Sequence, residues 1–261
     1  MIYPNTLKLP ENLIFDTHAH YDDERFDGIR DELLTELSQN GVGRIITCAV
    51  DGDSAMKAIA LAEKYPFIYA AAGIHPENLE SRTPVDEIRR LAEHKKCVAI
   101  GEIGLDYYYT TDNKSEQKDI FEKQIILAKE LNMPVIVHDR EAHGDTLEIL
   151  KKHKPAGVLH CFSGSEEMAA EIVKIGMYIG VGGSVTFKNA RKLPDVIKSI
   201  PTERLLLETD CPYLCPEPYR GKLCHSGYIS ITAAKVAEIL ETERDAVLKT
   251  AYQNAQKLFG I

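Results

Sequence analysis

An α/β fold, and within that class a (β/α)8 TIM barrel, is what this sequence predicts. Eight short apolar runs recur along the 261 residues, each followed by an amphipathic segment. The runs are continuous rather than alternating, as expected of parallel strands buried on both faces. Five of them end in a residue type that binds metal, and catalytic groups converge at the C-terminal ends of barrel strands. An open doubly wound sheet also alternates strand and helix, but it would usually place a glycine-rich phosphate loop after its first strand. Asp16, Thr17, His18, Ala19 and His20 stand there instead. With no linker, close repeat or evident boundary, residues 1–261 read as one domain.

The elements follow in order. The first run covers 14–20, and Ile29, Leu33, Leu34 and Leu37 stripe a helix that Gly41 can stop. After the run at 45–50, Asp53 is expected to cap a helix carrying Met56, Ile59 and Leu61 and ending at Pro66. The run at 68–75 precedes a stripe of Val85, Ile88, Leu91 and Ala92. The run at 98–102 precedes a longer helix with Ile120, Ile125, Leu127, Ala128 and Leu131, closed by Pro134. Runs at 135–138, 158–160 and 178–182 precede helices expected at 146–153, 166–175 and 189–199. The last run, 205–210, precedes helices at 229–241 and 243–259.

Composition is that of an ordinary globular chain, 44% apolar and 27% charged. No apolar stretch approaches the roughly 20 residues of a membrane span. Residues 1–10 lack a signal-peptide profile, so a cytoplasmic protein without membrane contact is expected. The formal net charge of −9 argues against a broad basic nucleic-acid platform. It leaves room for an enzyme that meets nucleic acid only at a metal site, where cations reverse the local field. No obligate protein partner is evident.

The six cysteines are scattered, unlike a disulfide framework. Cys48, Cys97 and Cys161 stand in apolar strand contexts and read as small hydrophobes. Cys211, Cys215 and Cys224 lie near His225 and could in principle hold zinc, but their spacing matches no ordinary structural-zinc pattern. Reduced thiols are expected.

Asp16, His18 and His20 share parity, so an extended strand points them to one face, where two histidines can hold one cation. Glu102 ends the fourth run; such a carboxylate is either a buried ion-pair partner or, with two oxygens, a bridge between two cations. His138 and His160 end further runs, and imidazole suits zinc, nickel and iron. Alone, each could be a satisfied core histidine. Asp210 completes the set, and Glu208, of the same parity, is placed to orient a ligand or water. Four histidines and two carboxylates at one barrel end are what two adjacent divalent sites need, and Mg, Mn, Zn or Ni would serve. His75 could touch a substrate oxygen, be a seventh ligand or be a structural loop histidine; because those six ligands would saturate two cations, it is assigned to substrate contact. His94, His143 and His153 fall in helices or their flanks and read as solvated.

Thr17-His18-Ala19-His20, Gly73-Ile74-His75-Pro76, Gly101-Glu102-Ile103-Gly104-Leu105-Asp106 and His160-Cys161-Phe162-Ser163-Gly164 together resemble the TatD family of metal-dependent deoxyribonucleases. Glu208-Thr209-Asp210-Cys211-Pro212-Tyr213-Leu214 and Arg220-Gly221-Lys222 extend the likeness over essentially the whole chain. The resemblance implies a TIM barrel that hydrolyses phosphodiester bonds in DNA, as an exonuclease, with two divalent cations. His18, His20 and Asp210 would hold one cation, His138 and His160 the other, with Glu102 between them. His75 and Arg220 would stand near substrate. Asp210 and Glu102 would be the catalytic carboxylates, Asp210 taking the proton of the attacking water. One departure is plain: where the family often reads Arg-Gly-Lys-Arg-Asn-Glu-Pro, this chain continues as Leu223-Cys224-His225-Ser226. That loop is expected at the substrate mouth, with His225 a further phosphate contact or merely a variable loop residue. The rival reading keeps the metals but cleaves an amide, ester, lactone or phosphotriester. A lysine at the fourth strand end, the hallmark expected for that rival, is replaced by Glu102.

Overall fold

The computed structural model describes Leu9 and residues 12–261; the expectation for residues 1–10 otherwise lies outside the described residues. The apolar runs become eight strands: β1 (Ile14–Ala19), β2 (Val42–Cys48), β3 (Ile68–Ala72), β4 (Cys97–Asp106), β5 (Val135–Arg140), β6 (Gly157–Leu159), β7 (Tyr178–Val181) and β8 (Leu205–Leu207). They pair in sequence order in one sheet, every pairing parallel. The ends of the sheet meet. Thr17 donates its hydroxyl to the Leu207 carbonyl at 3.1 Å, Asp210 N–H donates to His18 O at 2.9 Å, and His20 N–H donates to Cys211 O at 2.7 Å. These bonds stitch β1 to the end of β8 and close the barrel.

Helices α1 (Arg30–Gln39), α2 (Gly52–Lys64), α3 (Val85–Ala92), α4 (Lys114–Glu130), α5 (His143–His153), α6 (Glu166–Lys174), α7 (Leu193–Ser199), α8 (Ile229–Leu240) and α9 (Arg244–Phe259) fill the intervals. Among the helix expectations, α5 starts at His143 rather than 146, and two more need correction. Asp51, not Asp53, caps α2: it accepts from Ser54 N–H at 2.8 Å while the Ser54 hydroxyl accepts from Asp51 N–H at 2.9 Å, a reciprocal capping box. The seventh helix starts at Leu193 rather than 189, because Pro194 has no N–H to donate and is accommodated in the first turn.

Inside the barrel, Phe15, Ile46, Ala71, Val98, Ile136, Val158, Tyr178 and Leu206 form one apolar cluster. Phe259 and Tyr252 of α9 pack on Phe15, near the start of β1, with ring centroids 6.1 and 5.6 Å away. The interior is therefore filled and its N-terminal end covered, which leaves the C-terminal end for chemistry. β4 is the longest strand and is buried throughout. Its Gly104 has a φ of +149°, and a Cβ there would run into the His138 carbonyl of β5. Glycine lets these two strands approach.

Candidate metal centre

Glu102 of β4 occupies the middle of the C-terminal end, 3% exposed. Its two oxygens face different partners. Oε2 lies 3.2 Å from His18 Nε2 and 3.5 Å from His20 Nε2. Oε1 lies 2.8 Å from His160 Nε2 and 2.9 Å from His138 Nδ1. Asp210 completes the first set, its Oδ1 3.4 Å from His20 Nε2 and 3.7 Å from His18 Nε2.

Surrounding groups aim these donors inward. His20 Nδ1 donates to the Cys48 carbonyl at 2.8 Å, which turns Nε2 toward Glu102. His138 Nε2 donates to Asp106 Oδ2 at 2.9 Å, leaving Nδ1 for the centre, and Asp106 in turn accepts from Tyr108 N–H at 2.8 Å. Glu208 accepts from Cys161 N–H and lies 3.7 Å from His160 Nδ1. Asp16 does not reach the centre. It accepts from the backbone N–H of His18 (3.3 Å) and Thr209 (3.0 Å) and from the Thr209 hydroxyl (2.6 Å), tying β1 to the segment that carries Asp210.

Charge follows this geometry. Burial opposes ionisation of Glu102, but His160, His18, His75 and His138 overcome it and hold its carboxyl well below the usual range. Burial also disfavours charge on His20 and His138. Asp210 and Glu102 outweigh it at His20, lifting that pKa to about 9, and Asp106 and Glu102 do so at His138, lifting it to about 10. His18 is driven the other way, to about 4, by burial and by neighbouring His160. Burial lifts Glu208 to about 7 and Asp16 to about 6. Without a cation, protons on His20 and His138 would offset the carboxylates. Divalent cations fit the same place: three sets of nitrogen and oxygen donors each converge within 4.8 Å, namely His18–Glu102–His160, His18–His20–Asp210 and His75–Glu102–His138.

The structure brings His18, His20, Glu102, His138, His160 and Asp210 together, with Glu208 behind His160. His75 joins them, its Nε2 3.4 Å from Glu102 Oε1, within the donor cluster rather than outside it. Arg220 is held elsewhere: it is exposed, its guanidinium lies 4.5 Å over the Phe187 ring, and it is absent from the cleft lining. His225 and Ser226 are also not at the mouth. Both are buried, His225 stacked on Tyr228 and Ser226 bonded to the Tyr21 hydroxyl, so no phosphate reaches His225. All six cysteines are free thiols, and among the described residues no donor cluster includes one. Cys161 lies past the end of β6 and lines the cleft, unlike the strand position expected of it. Of the three outlying histidines, His143 is the most open, while His153 is largely covered and lies 3.2 Å from Glu122.

Sequence reasoning left Asp106 and Arg140 without a role. Both carry a signal that could have found them: Asp106 shares strand parity with Glu102, and Arg140 with His138. Both line the cleft, a cavity of about 700 Å³ over the histidines.

Fold and site define a class, the metal-dependent barrel hydrolases. Within it the chain belongs to the family described as TatD related DNase, whose model matches residues 15–260. It is 42% identical over 254 residues to YabD of Bacillus subtilis, described as an uncharacterized metal-dependent hydrolase, covering 95% of this chain and 100% of that one. The crystal structure of YjjV, a TatD homologue from Escherichia coli, superposes with a TM-score of 0.89 at 34% identity, covering 96% of this chain and 99% of the other. A TatD-family hydrolase from Entamoeba histolytica gives 0.84 at 26% identity, covering 94% and 98%. A dihydroorotase shares the fold at 15% identity, with a TM-score of 0.64 over 96% of this chain and 71% of that one. Among the described residues no helix is long and apolar enough to cross a membrane.

Proposed function

We propose that this hydrolase cleaves phosphodiester bonds of DNA, as an exonuclease, using two divalent cations drawn from Mg, Mn, Zn and Ni. The observation that carries the reading is the division of Glu102, with Oε1 toward His138 and His160 and Oε2 toward His18 and His20. His18, His20 and Asp210 would hold one cation and His138 and His160 the other, with Glu102 shared. His75 is near enough to add a nitrogen to the second set or to contact substrate. Bound there, the cations supply Lewis acidity toward the phosphoryl group and a lowered pKa for water.

The remaining work falls to the chain. Asp210 borders the cleft and is held ionised, below the usual carboxylate range, by His20, His18 and His160 against the cost of burial. An ionised carboxylate in this position can orient the attacking water and take its proton. Arg140, the arginine of the cleft wall, would be available to a phosphate oxygen. Asp106 keeps the His138 ring in orientation through its hydrogen bond, and Glu208 stands 3.7 Å behind His160 Nδ1 as a neighbouring carboxylate.

A second reading, hydrolysis of a neutral amide, ester or lactone, draws support from Asp22, Asp23, Glu77 and Asp139, which make much of the cleft wall acidic. The test is a cleavage time course on end-labelled single- and double-stranded DNA with each of the four cations, run beside an ester and lactone panel. Stepwise loss of terminal nucleotides is expected. Turnover of the panel with intact DNA would replace the nuclease reading with the second one.

A further inference from the structure

Five large apolar or aromatic side chains are exposed among the described residues, and two of them, Tyr109 and Tyr213, line the one cleft over the histidines. A third, Tyr108, is the neighbour of Tyr109. Solvent-exposed aromatics gathered at a site mark a binding surface far better than scattered ones do. Tyr108 and Tyr109 follow β4, and Tyr213 follows β8. In a closed barrel of eight strands paired in order, β4 and β8 lie on opposite sides. Tyr213 stands beside His20, ring centroids 6.4 Å apart, and Tyr109 stands beyond β4, so the rings rise from separate parts of the cleft rim.

Each is backed by a guanidinium. Arg25 lies 3.9 Å from the Tyr213 ring centroid and is itself fixed by two bonds to the Asp23 carboxylate, at 2.9 and 2.8 Å. Arg140 lies 3.8 Å from the Tyr108 centroid and 5.0 Å from that of Tyr109, and the two rings meet edge to face at 4.9 Å. The rings are thus ordered before any ligand arrives, while Tyr109 remains 67% and Tyr213 47% exposed. An ordered, exposed ring offers a flat surface at little further entropic cost. With the wall itself largely acidic, exposed rings can grip the planar parts of a nucleic acid beside what the cations and Arg140 would offer its phosphates.

We propose that Tyr109 and Tyr213 are specificity-determining residues, each stacking on the base of one nucleotide beside the scissile phosphate. The inference rests on the nuclease reading above. Stacking on an aromatic side chain requires a base that is not sandwiched in a duplex, and it tolerates any base because each has a flat face. Loss of one such contact is worth about 5- to 150-fold in affinity.

The experiment is a cycle between protein and substrate in the metal-loaded full chain. Tyr213→Leu and Tyr109→Leu are each combined with oligonucleotides carrying one abasic site next to the cleaved linkage. Each leucine variant is expected to raise KM about 5- to 150-fold, and each abasic site to raise wild-type KM similarly. Combined with its matching abasic site, a variant should lose little more, because one contact cannot be lost twice. Tyr213→Phe and Tyr109→Phe should retain wild-type KM, and a 2-aminopurine at the matching position should be quenched on binding by wild type but not by the leucine variants. Unchanged KM in the leucine variants, or losses that multiply fully with the abasic sites, would overturn the stacking and leave the nuclease reading standing. A wild-type protein that cuts no DNA with any of the cations removes both. Thermal melting of each variant, expected at the wild-type temperature for such exposed side chains, separates stacking from misfolding.

Discussion

His18 of β1 and His160, just beyond β6, stack face to face, their ring centroids 3.8 Å apart and their planes within 10°. Their Nε2 atoms nevertheless address different oxygens of Glu102. The stack joins the two halves of the centre through an apolar contact as well as through the shared carboxylate. Burial first, and the stacked His160 next, keep His18 neutral, since a second charge against His160 would be buried and unscreened.

That shared carboxylate sets the first expectation. Glu102→Ala should lower metal content at both sites, whereas His138→Ala should mainly weaken one, since the imidazole serves a single oxygen of Glu102. Metal-to-protein ratios by elemental mass spectrometry check this, with the larger loss expected for Glu102→Ala. Equal occupancy in that variant and wild type would remove the bridge.

Asp210→Asn preserves shape and one oxygen donor but cannot accept a proton. General acid–base groups contribute about 10² to 10⁴ in rate, so single-turnover cleavage at saturating metal should fall by at least about 10². Oligonucleotide binding should change far less. Near-normal cleavage would reduce Asp210 to a ligand.

Two glycines should respond oppositely to alanine. At Gly104 a side chain meets the His138 carbonyl and the φ is +149°, so Gly104→Ala should cost more than about 2 kcal/mol and weaken metal binding. At Gly144, in the first turn of α5, nothing lies within 4 Å, and Gly144→Ala should stabilise by up to about 1 kcal/mol. Denaturant melts of the two variants decide it.

Burial lowers the pKa of His225 from 6.5 to about 4. Between those values the unfolded chain binds the proton and the folded one does not, so this residue's contribution to stability falls as pH drops from 6.5 toward 4. The full effect is about 3 kcal/mol at the acid end. His225→Phe, which keeps a ring against Tyr228, should flatten the pH dependence of stability over that window. Parallel pH profiles for the variant and wild type would contradict the neutral buried state.

Strand positions were legible in the sequence because they are local: a strand buried on both faces needs a continuous apolar run, and each ligand in question stands at or near the end of one. Spacing of two likewise brings His18 of β1 and His20, just past it, to one side, whereas Asp16 of the same parity is turned away where the register of β1 shifts. The sequence by itself therefore determined the barrel and the gathering of its histidines and carboxylates at one end. It could not determine which oxygen of Glu102 each histidine meets, that Asp106 orients His138, or that His75 stands 3.4 Å from Glu102. Nor could it foresee that Arg220 turns away onto Phe187, that His225 is buried against Tyr228, or that Arg140 and Arg25 back the rim tyrosines. Those are contacts between segments far apart in the chain, set by how loops from different strands pack on one another. Only the tertiary structure decides them, because a side chain's direction beyond its own strand depends on neighbours that local periodicity does not encode.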